Sequence, residues 1–445
     1  MHFGKLVRAG ASAGAIFLFI SSTVVPAHGA AGPVKSATAI TEVFGDGQKL
    51  TAIALEYDRP IDGSKLSAAD FRVDGRTIVK TYASASPAPA QEAAQGRYVI
   101  VELSLNDPAA SSLRDDGHAQ KPAPSGATGT MDGPPQFGPR QIYKTPVASV
   151  TQVGPIATTD GTLYAPSRSA IVTSRVKNLI VDDFRQLEYR DRKTGGLLKY
   201  NLFVPKGYDK RKAYPLVLFM HDAGTLSHDP TTTLKQGLGA VIWASPADQA
   251  KHPAFVLAPQ YVNAMVNDQS EASPDLDTTV DLVEALTARF HIDRNRLYTT
   301  GQSMGAMTSI AMDIKYPQLF AASFIVAGQW NPALVKPLAR QKLWIVVSQG
   351  DLKAYPGEND IANVLEQNGA KVSRAVWNGR STPEQFALEA TKIESEGSAI
   401  NYIALEKGTV VPPGQPDNGG SNHMNTWRIA YTIEDIRDWI FRQHR

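Results

Sequence analysis

From about residue 180 onward the chain alternates apolar, strand-like runs with helical stretches. The helical stretches include 278–290 and 427–442, where apolar residues recur at helical spacing. The strand-like runs are almost continuously apolar: "YPLVLFM", "AFVLAPQ", "RLYTTG", "FAASFIVAG", "KLWIVVSQG" and "NYIALEKG". Such strands need cover on both faces of a sheet. The sequence therefore predicts an α/β domain over residues 176–445, built on a doubly wound, mostly parallel sheet.

Residues 32–175 follow a different pattern. Short β-branched runs are separated by turn-forming segments: "ATAITEVF", "KLTAIALEYD", "FRVDGRTIVKTYA" and "RYVIVELSL". Short strands at this spacing predict a small all-β sandwich domain. Within it, residues 106–140 have few aliphatic side chains and many Pro, Gly, Ser and Asp residues. This composition predicts a flexible insertion.

Residues 1–31 have the composition of a signal peptide. Lys5 and Arg8 precede an apolar run, and small residues follow near 29–31, where cleavage is expected. An uncleaved membrane anchor is the alternative interpretation. We expect cleavage and export to the periplasm or the medium. Because the chain has no cysteine, it can form neither disulfides nor a cysteine-linked lipid anchor.

The charge balance limits the classes of partner. The chain contains 45 Lys and Arg residues against 43 Asp and Glu residues, and the predicted signal peptide holds two of the basic ones. The mature chain is thus nearly neutral, without the excess of positive charge that binding to nucleic acid or an anionic membrane favours. We expect no nucleic-acid partner and no stable membrane association after signal cleavage.

Gly301-Gln302-Ser303-Met304-Gly305 fits the G-x-S-x-G pattern. The pattern alone is weak evidence, but here it lies between a predicted strand and a predicted helix, as a nucleophile elbow requires. Glycines at both ends allow the strand and helix to approach closely. Ser303 is the candidate nucleophile; the alternative is a tight corner that serves only the backbone.

A serine nucleophile needs a base, and the base needs an orienting acid. On such a sheet the partners are expected in the order Ser, Asp or Glu, His. Two histidines follow Ser303, and His444 is the penultimate residue, so His423 is the candidate base. It is expected in a loop between the last strand and the last helix. Asp351 directly follows the strand "KLWIVVSQG" and is the candidate acid, with Glu358 and Asp360 as alternatives.

Two backbone N–H groups are expected to form an oxyanion hole. One belongs to Met304, directly after the candidate nucleophile. The other is expected from Ala223, in the segment that follows the strand "YPLVLFM". Segments 260–275 and 328–333 follow strand ends and are predicted to line the cleft. The residues predicted to contact substrate are His221, Gln260, Gln302 and Trp330.

These motifs carry a family resemblance. Residues from about 180 to 445 resemble the α/β-hydrolase superfamily, and more narrowly the secreted bacterial esterases of the "predicted peptidase" type, related to feruloyl-esterase and polyhydroxybutyrate-depolymerase-like proteins. The segments that carry the resemblance are "YNLFVPKGYDKRKAYPLVLFMHDAG", "HPAFVLAPQY", "IDRNRLYTTGQSMGAM" and "HMNTWRIAY". The segments "ITEVFGDGQKL" and "ALEYDRPID" resemble the immunoglobulin-like N-terminal domain that accompanies some of these esterases.

The resemblance implies Ser303 as nucleophile, His423 as general base and Asp351 as its orienting acid, with Ala223 and Met304 as oxyanion donors. The chain departs from the family pattern at two places. The usual His-Gly before the oxyanion residue is His221-Asp222 here, so an acid replaces a glycine. The usual H-G-x-x-D around the acid reads "VSQGD".

The expected function is hydrolysis of carboxylic esters, borne by small molecules or polymers, through an acyl-enzyme and without a metal or organic cofactor. A serine peptidase is the alternative within enzymes, and a non-catalytic extracellular binding protein is the alternative outside them. For the N-terminal domain, the expectations are substrate binding, shielding of the cleft, association into a homo-oligomer, or simple packing against the hydrolase domain.

Overall fold

The computed structural model describes residues 33–89, 92–114 and 141–445. The predicted signal peptide at 1–31 lies outside the described residues, as does the part of the predicted insertion from 115 to 140.

Two facing sheets and a short ribbon form the N-terminal domain. The five strands of the larger sheet are β1 (Val34–Phe44), β2 (Gly47–Asp62), β4 (Ile78–Ser84), β5 (Gln95–Leu103) and β10 (Arg175–Asn178), in the order β10-β1-β2-β5-β4. The smaller sheet and the ribbon contain β3 (Phe71–Val73), β6 (Ser149–Gln152), β9 (Ile171–Val172), β7 (Ile156–Ala157) and β8 (Leu163–Tyr164).

Side-chain alternation divides the larger sheet into two buried faces. On β5, Val99 and Val101 join the core that also contains Phe71 and Val150 of the smaller sheet. Ile100, between them, belongs to a separate buried cluster on the opposite face. The two sheets therefore share one core, and the prediction of an all-β sandwich is confirmed.

The structure shifts two predicted boundaries. Residues 106–114, predicted as flexible, are folded: Pro108–Ala110 form a 3₁₀ turn, and Asp107 binds the buried Arg76 guanidinium at 3.0 Å. A buried guanidinium needs such a partner, which composition alone does not reveal. At the other end, β10 pairs with β1 in parallel, so the first domain extends to residue 178 rather than 175.

A nine-stranded sheet forms the core of the second domain. Its strands are β11 (Arg185–Arg190), β12 (Leu197–Phe203), β13 (Tyr214–Met220), β14 (Phe255–Gln260), β15 (Ile292–Gln302), β16 (Ala322–Val326), β17 (Leu343–Ser348), β18 (Val372–Trp377) and β19 (Ile400–Leu405). They lie in the order β11-β12-β14-β13-β15-β16-β17-β19-β18. Within this described sheet only β12 runs antiparallel to its neighbours.

Helices cover this sheet. They are α1 (Thr232–Lys235), α2 (Leu238–Val241), α3 (Pro246–Lys251), α4 (Asp275–Arg289), α5 (Met304–Lys315), α6 (Ala354–Gln367), α7 (Pro383–Glu394), α8 (Gly419–Ala430) and α9 (Glu434–Phe441). Every residue of β14, β16 and β17 is buried. Since consecutive strand residues point to opposite faces, both faces of the sheet are covered, which confirms the predicted α/β fold. None of the described helices is both long enough and apolar enough to cross a membrane.

The two domains touch close to the end of β13. The backbone N–H of Gln141 donates to the carbonyl of Gly224 at 2.9 Å. In the turn between β1 and β2, a Cβ added to Gly45 would lie 2.6 Å from Cγ of Arg428 on α8. The N-terminal domain therefore packs directly against two segments of the second domain that flank the candidate site.

Candidate active site

Ser303 occupies a tight corner between β15 and α5. Its φ of 53° and ψ of −120° lie in a region that non-glycine residues rarely adopt. Its backbone N–H donates to the carbonyl of Val326 at 3.0 Å, which anchors the corner to the neighbouring strand. The strain, typically about 1–3 kcal/mol, persists only where the surroundings enforce it. The corner therefore holds the partly exposed serine at the carboxyl end of the sheet.

His423 lies beside Ser303. Its Nε2 is 2.8 Å from Ser303 Oγ, and its ring contacts the indole of Trp427 edge-on with centroids 5.1 Å apart. The prediction that His423 lies in a loop is wrong, because it lies one turn into α8. The helix begins at a Gly-Gly pair, a poor helix-forming sequence, but the side chain of Asn418 caps it by accepting from the N–H of Ser421.

Asp351 contacts the other ring nitrogen of His423, with Oδ2 2.5 Å from Nδ1. The second carboxylate oxygen, Oδ1, accepts from the N–H groups of Lys353 at 3.0 Å and Ala354 at 2.9 Å. Burial opposes ionisation, but the hydrogen bond and charge of His423, together with the two amides, lower the pKa of Asp351. An ionised carboxylate only accepts, so Nδ1 carries the proton and Nε2 is free to accept from the serine hydroxyl.

Asn422, which sequence reasoning missed, fixes α8 against the end of β17. Ser348 Oγ donates to its Oδ1 at 2.9 Å, and its Nδ2 donates to the carbonyl of Asn418 at 2.9 Å. A Cβ at Gly350 would lie 2.1 Å from the same Oδ1. The glycine directly before Asp351 was therefore the signal in the sequence that another element approaches the backbone closely there.

The alternative acids lie elsewhere. Glu358 is buried in α6, where its Oε1 accepts from the N–H of Gly328 at 2.7 Å. Burial raises the pKa of Glu358 well above its usual value, and the charge of Asp351 raises it further. The hydrogen bond from Gly328 N–H lowers it, but by less. Asp360 is exposed on the same helix, and His444 is exposed near the C-terminus. Among these candidates, the geometry selects Asp351 and His423.

The two predicted oxyanion donors lie at adjoining chain segments. Met304 opens α5, and Ala223 opens the 3₁₀ turn Ala223–Thr225 that follows β13. Within the described ranges neither backbone N–H donates a hydrogen bond. The segments approach closely, since a Cβ at Gly301 would lie 2.8 Å from the carbonyl oxygen of Met220. Neither N–H is used by the described protein itself, and their assignment as oxyanion donors stays a prediction.

The four residues predicted to contact substrate are buried. Tyr261 N–H donates to His221 Nε2 at 3.0 Å, and burial lowers the pKa of His221, favouring the neutral ring. Gln260 Nε2 donates to the carbonyl of Thr225 at 2.8 Å, and Gln302 Nε2 donates to the carboxylate of Asp222. Trp330 is 7% exposed. The substrate-contact prediction therefore has to be corrected for His221, Gln260 and Gln302, because the His221 ring and the two amide nitrogens bind the protein itself. For Trp330 it stays a prediction.

The described ranges contain no group of three or more His, Asp or Glu side chains suited to hold a metal ion. The arrangement of Ser303, His423 and Asp351 can itself move a proton from a hydroxyl to an imidazole that a carboxylate orients, which is the chemistry of nucleophilic acyl transfer.

Comparisons with known proteins match each of the two domains to an esterase family. Residues 36–165 match the family described as the esterase Ig-like N-terminal domain, and residues 192–403 match the Esterase family. A solved structure, titled as that of a thermostable esterase, is 27% identical and covers 93% of this chain and 100% of its own, with a TM-score of 0.76. An Aspergillus terreus protein named "Probable feruloyl esterase C" is 28% identical over 131 residues, which span 29% of this chain and 46% of that relative.

Proposed function

Because the chain is a carboxylesterase-type hydrolase with an immunoglobulin-like N-terminal domain, we propose that it cleaves esters through Ser303, His423 and Asp351 by way of an acyl-enzyme. One observation carries the proposal. Two successive hydrogen bonds, of 2.8 Å from Ser303 to His423 and 2.5 Å from His423 to Asp351, form one continuous path.

In the first step Ser303 Oγ attacks the ester carbonyl carbon while its proton moves to His423 Nε2. The carbonyl oxygen becomes negatively charged and accepts hydrogen bonds from the N–H groups of Ala223 and Met304. The bond to the leaving alcohol oxygen then breaks, and that oxygen takes the proton from His423. The acyl group remains bound to Ser303. Asp351 stabilises the imidazolium throughout and stays ionised, since its pKa is lowered.

In the second step water replaces the alcohol. His423 Nε2 accepts a proton from the water as its oxygen attacks the acyl carbon, and the same two N–H groups hold the second oxyanion. Collapse breaks the bond to Ser303 Oγ, which recovers its proton from His423. The products are one alcohol and one carboxylic acid per ester, and the enzyme returns to its starting state.

Export belongs to the proposal. The N-terminal composition described above supports cleavage after a signal peptide and action on an ester in the periplasm or the medium. The name of the Aspergillus terreus relative makes aryl-acrylate esters, such as feruloyl esters, a substrate class to test.

The experiment combines a substrate panel with labelling. Purified protein is assayed on p-nitrophenyl esters of increasing acyl length, methyl ferulate and a peptide p-nitroanilide. In parallel it is treated with a fluorophosphonate, and the modified peptide is located by mass spectrometry. The proposal predicts ester turnover and a single adduct on Ser303. An absence of both, or an adduct on another serine, would contradict it; faster peptide than ester cleavage would favour the peptidase alternative.

A further inference from the structure

Asp222 stands where the family that the sequence resembles carries a glycine, and the mechanism above gives it no role. Its backbone, at φ −73° and ψ 170°, lies in a region open to every residue, so the conformation itself does not require glycine. Its side chain is buried, with 7% exposure for the residue. A buried carboxylate is costly unless donors satisfy it. Its contacts therefore indicate what it does.

One carboxylate oxygen of Asp222 shapes the turn that bears Ala223. Oδ1 accepts from the backbone N–H of Gly224 at 2.8 Å, and the carbonyl of Asp222 accepts from the N–H of Thr225 at 3.2 Å. Of the three N–H groups in this turn, only that of Ala223 remains unused within the described residues. The side chain therefore fixes the peptide plane between Ala223 and Gly224, on one side of the proposed oxyanion donor, and the backbone carbonyl of Asp222 fixes the plane on the other side.

The other carboxylate oxygen joins this turn to the nucleophile corner. Oδ2 accepts from Gln302 Nε2 at 3.0 Å, and the second hydrogen of that amide goes to Gln236 Oε1 at 3.1 Å. Thr225 Oγ1 lies 3.1 Å from the same Oδ2, but its single hydrogen has a closer acceptor in Gln236 Oε1 at 2.7 Å. Gln302 thus supplies the main donor to Oδ2, and it is the residue directly before Ser303.

We propose that Asp222 is a positioning residue for the oxyanion hole, because its hydrogen bond to Gln302 ties the segment of Ala223 to the segment of Ser303 and Met304. This inference rests on the proposed function. The two donors come from different chain segments, and oxyanion stabilisation depends on their mutual placement. A hydrogen bond between buried side chains fixes that placement before substrate arrives, and misplacement by ~1 Å can cost ~10²-fold in rate.

The N-terminal domain closes the other side of this turn. Gln141 N–H donates to the carbonyl of Gly224 at 2.9 Å. Burial raises the pKa of Tyr143, and the neighbouring charge of Asp222 adds to the increase, so Tyr143 stays neutral beside the carboxylate. The N-terminal domain therefore covers one side of the turn, and because Asp222 is buried, little solvent can replace a lost partner of its carboxylate.

The test uses Asp222→Asn, Gln302→Met and the double variant in the full chain. The introduced amide has one oxygen and one NH₂ group, and the NH₂ group faces a donor in either orientation. The bond that is lost comes from Gly224 N–H in one orientation and from Gln302 Nε2 in the other. The volume of the side chain changes little. Gln302→Met removes the same bond from the other partner. Thr225→Val is the matched control, since it removes a buried hydroxyl of the same network but not the bond between Asp222 and Gln302.

The values of kcat and KM are measured on p-nitrophenyl butyrate, well below the unfolding temperature. Affinity is measured for an alkyl boronic acid, which forms a tetrahedral adduct with serine that resembles the proposed intermediate. Each single variant is expected to lose ~10- to 100-fold in kcat and in boronate affinity, with KM within about twofold. The double variant is expected to lose less than the two single losses combined, because the bond between Asp222 and Gln302 can be lost only once. The Thr225→Val control is expected to stay within about threefold of wild type.

If wild type hydrolyses esters and Asp222→Asn is equally active, this inference is wrong but the proposed function stands. Losses that add in the double variant, or that appear in KM and not in kcat, would overturn it as well. A wild-type protein without ester turnover would overturn the proposed function and the inference together. If Asp222→Asn does not fold, Gln302→Met carries the same expectation, and full activity of that variant would contradict it.

Discussion

Gly305 lies so close to the end of β13 that a Cβ built on it would be 1.9 Å from the carbonyl oxygen of Met220. At the other end of the motif, a Cβ on Gly301 would be 2.3 Å from the carbonyl carbon of Gly305. Both obstacles are backbone atoms, which cannot turn aside as a flexible side chain can. The two glycines that bracket Ser303 therefore let strand and helix meet closely enough to form the corner.

Gly305→Ala should consequently destabilise the protein and reduce its activity. The added methyl group forces α5 away from β13, at a cost of about 1–3 kcal/mol or more for overpacking. It also displaces the N–H of Met304. The free energy of unfolding in urea and kcat on p-nitrophenyl butyrate measure the two effects. The matched control is Gly420→Ala in α8, where the nearest atom to an added Cβ is 3.5 Å away. Equal stability of the two variants would contradict this explanation.

Asp351→Asn should lower kcat strongly without unfolding the protein. The introduced amide keeps an oxygen for the N–H groups of Lys353 and Ala354 but turns an NH₂ group toward His423 Nδ1, which favours the tautomer unable to accept from Ser303. Such a change costs ~10⁴ in kcat in other hydrolases with this arrangement. Asp360→Asn, on the exposed side of α6, is the control and should be as active as wild type. A loss of less than about tenfold in Asp351→Asn would show that another group orients the base.

Asp313 should make stability depend on pH. It is buried in α5, and burial raises its pKa to about 7, with a hydrogen bond from Ser323 opposing the increase. Between the unfolded value near 3.8 and this folded value, the native state holds a proton that the unfolded state has released. Stability therefore falls as pH rises through that window and levels off above it.

Asp313→Asn removes this dependence, because the amide does not titrate. The free energy of unfolding of wild type, relative to the variant, should decrease between pH 4 and pH 7 by an amount on the order of 4 kcal/mol at most. Urea unfolding at several pH values measures the difference, and Asp360→Asn serves as an exposed control. Parallel curves for wild type and Asp313→Asn would contradict the raised pKa.

Much of the fold could be predicted because its signals are local. The runs at 214–220 and 343–348 are apolar in nearly every position, so they could be recognised as strands buried on both faces. The corner at Ser303 was recognisable because two glycines interrupt a strand just before a helix. These features follow from neighbouring residues, and the structure retains them.

Other features depend on partners distant in the chain, and the sequence did not reveal them. β18 is a half-exposed edge strand whose apolar and polar residues are mixed. The predicted helix at 427–442 is two helices, since Ile433 is extended and separates α8 from α9. The buried roles of His221, Gln260 and Gln302 arise from contacts between different loops. Sequence reasoning recognised these polar residues near the site but assigned them to substrate instead of to the protein.

The measurement that tests the central claim most directly is the turnover number of Ser303→Ala. The variant lacks only the hydroxyl that lies 2.8 Å from His423 Nε2. It should fold with the thermal stability of wild type and lose on the order of 10⁶ in kcat on p-nitrophenyl butyrate. If the folded variant instead kept a sizeable fraction of wild-type turnover, the hydroxyl of Ser303 would not be the nucleophile, and the proposed acyl-enzyme mechanism would be wrong.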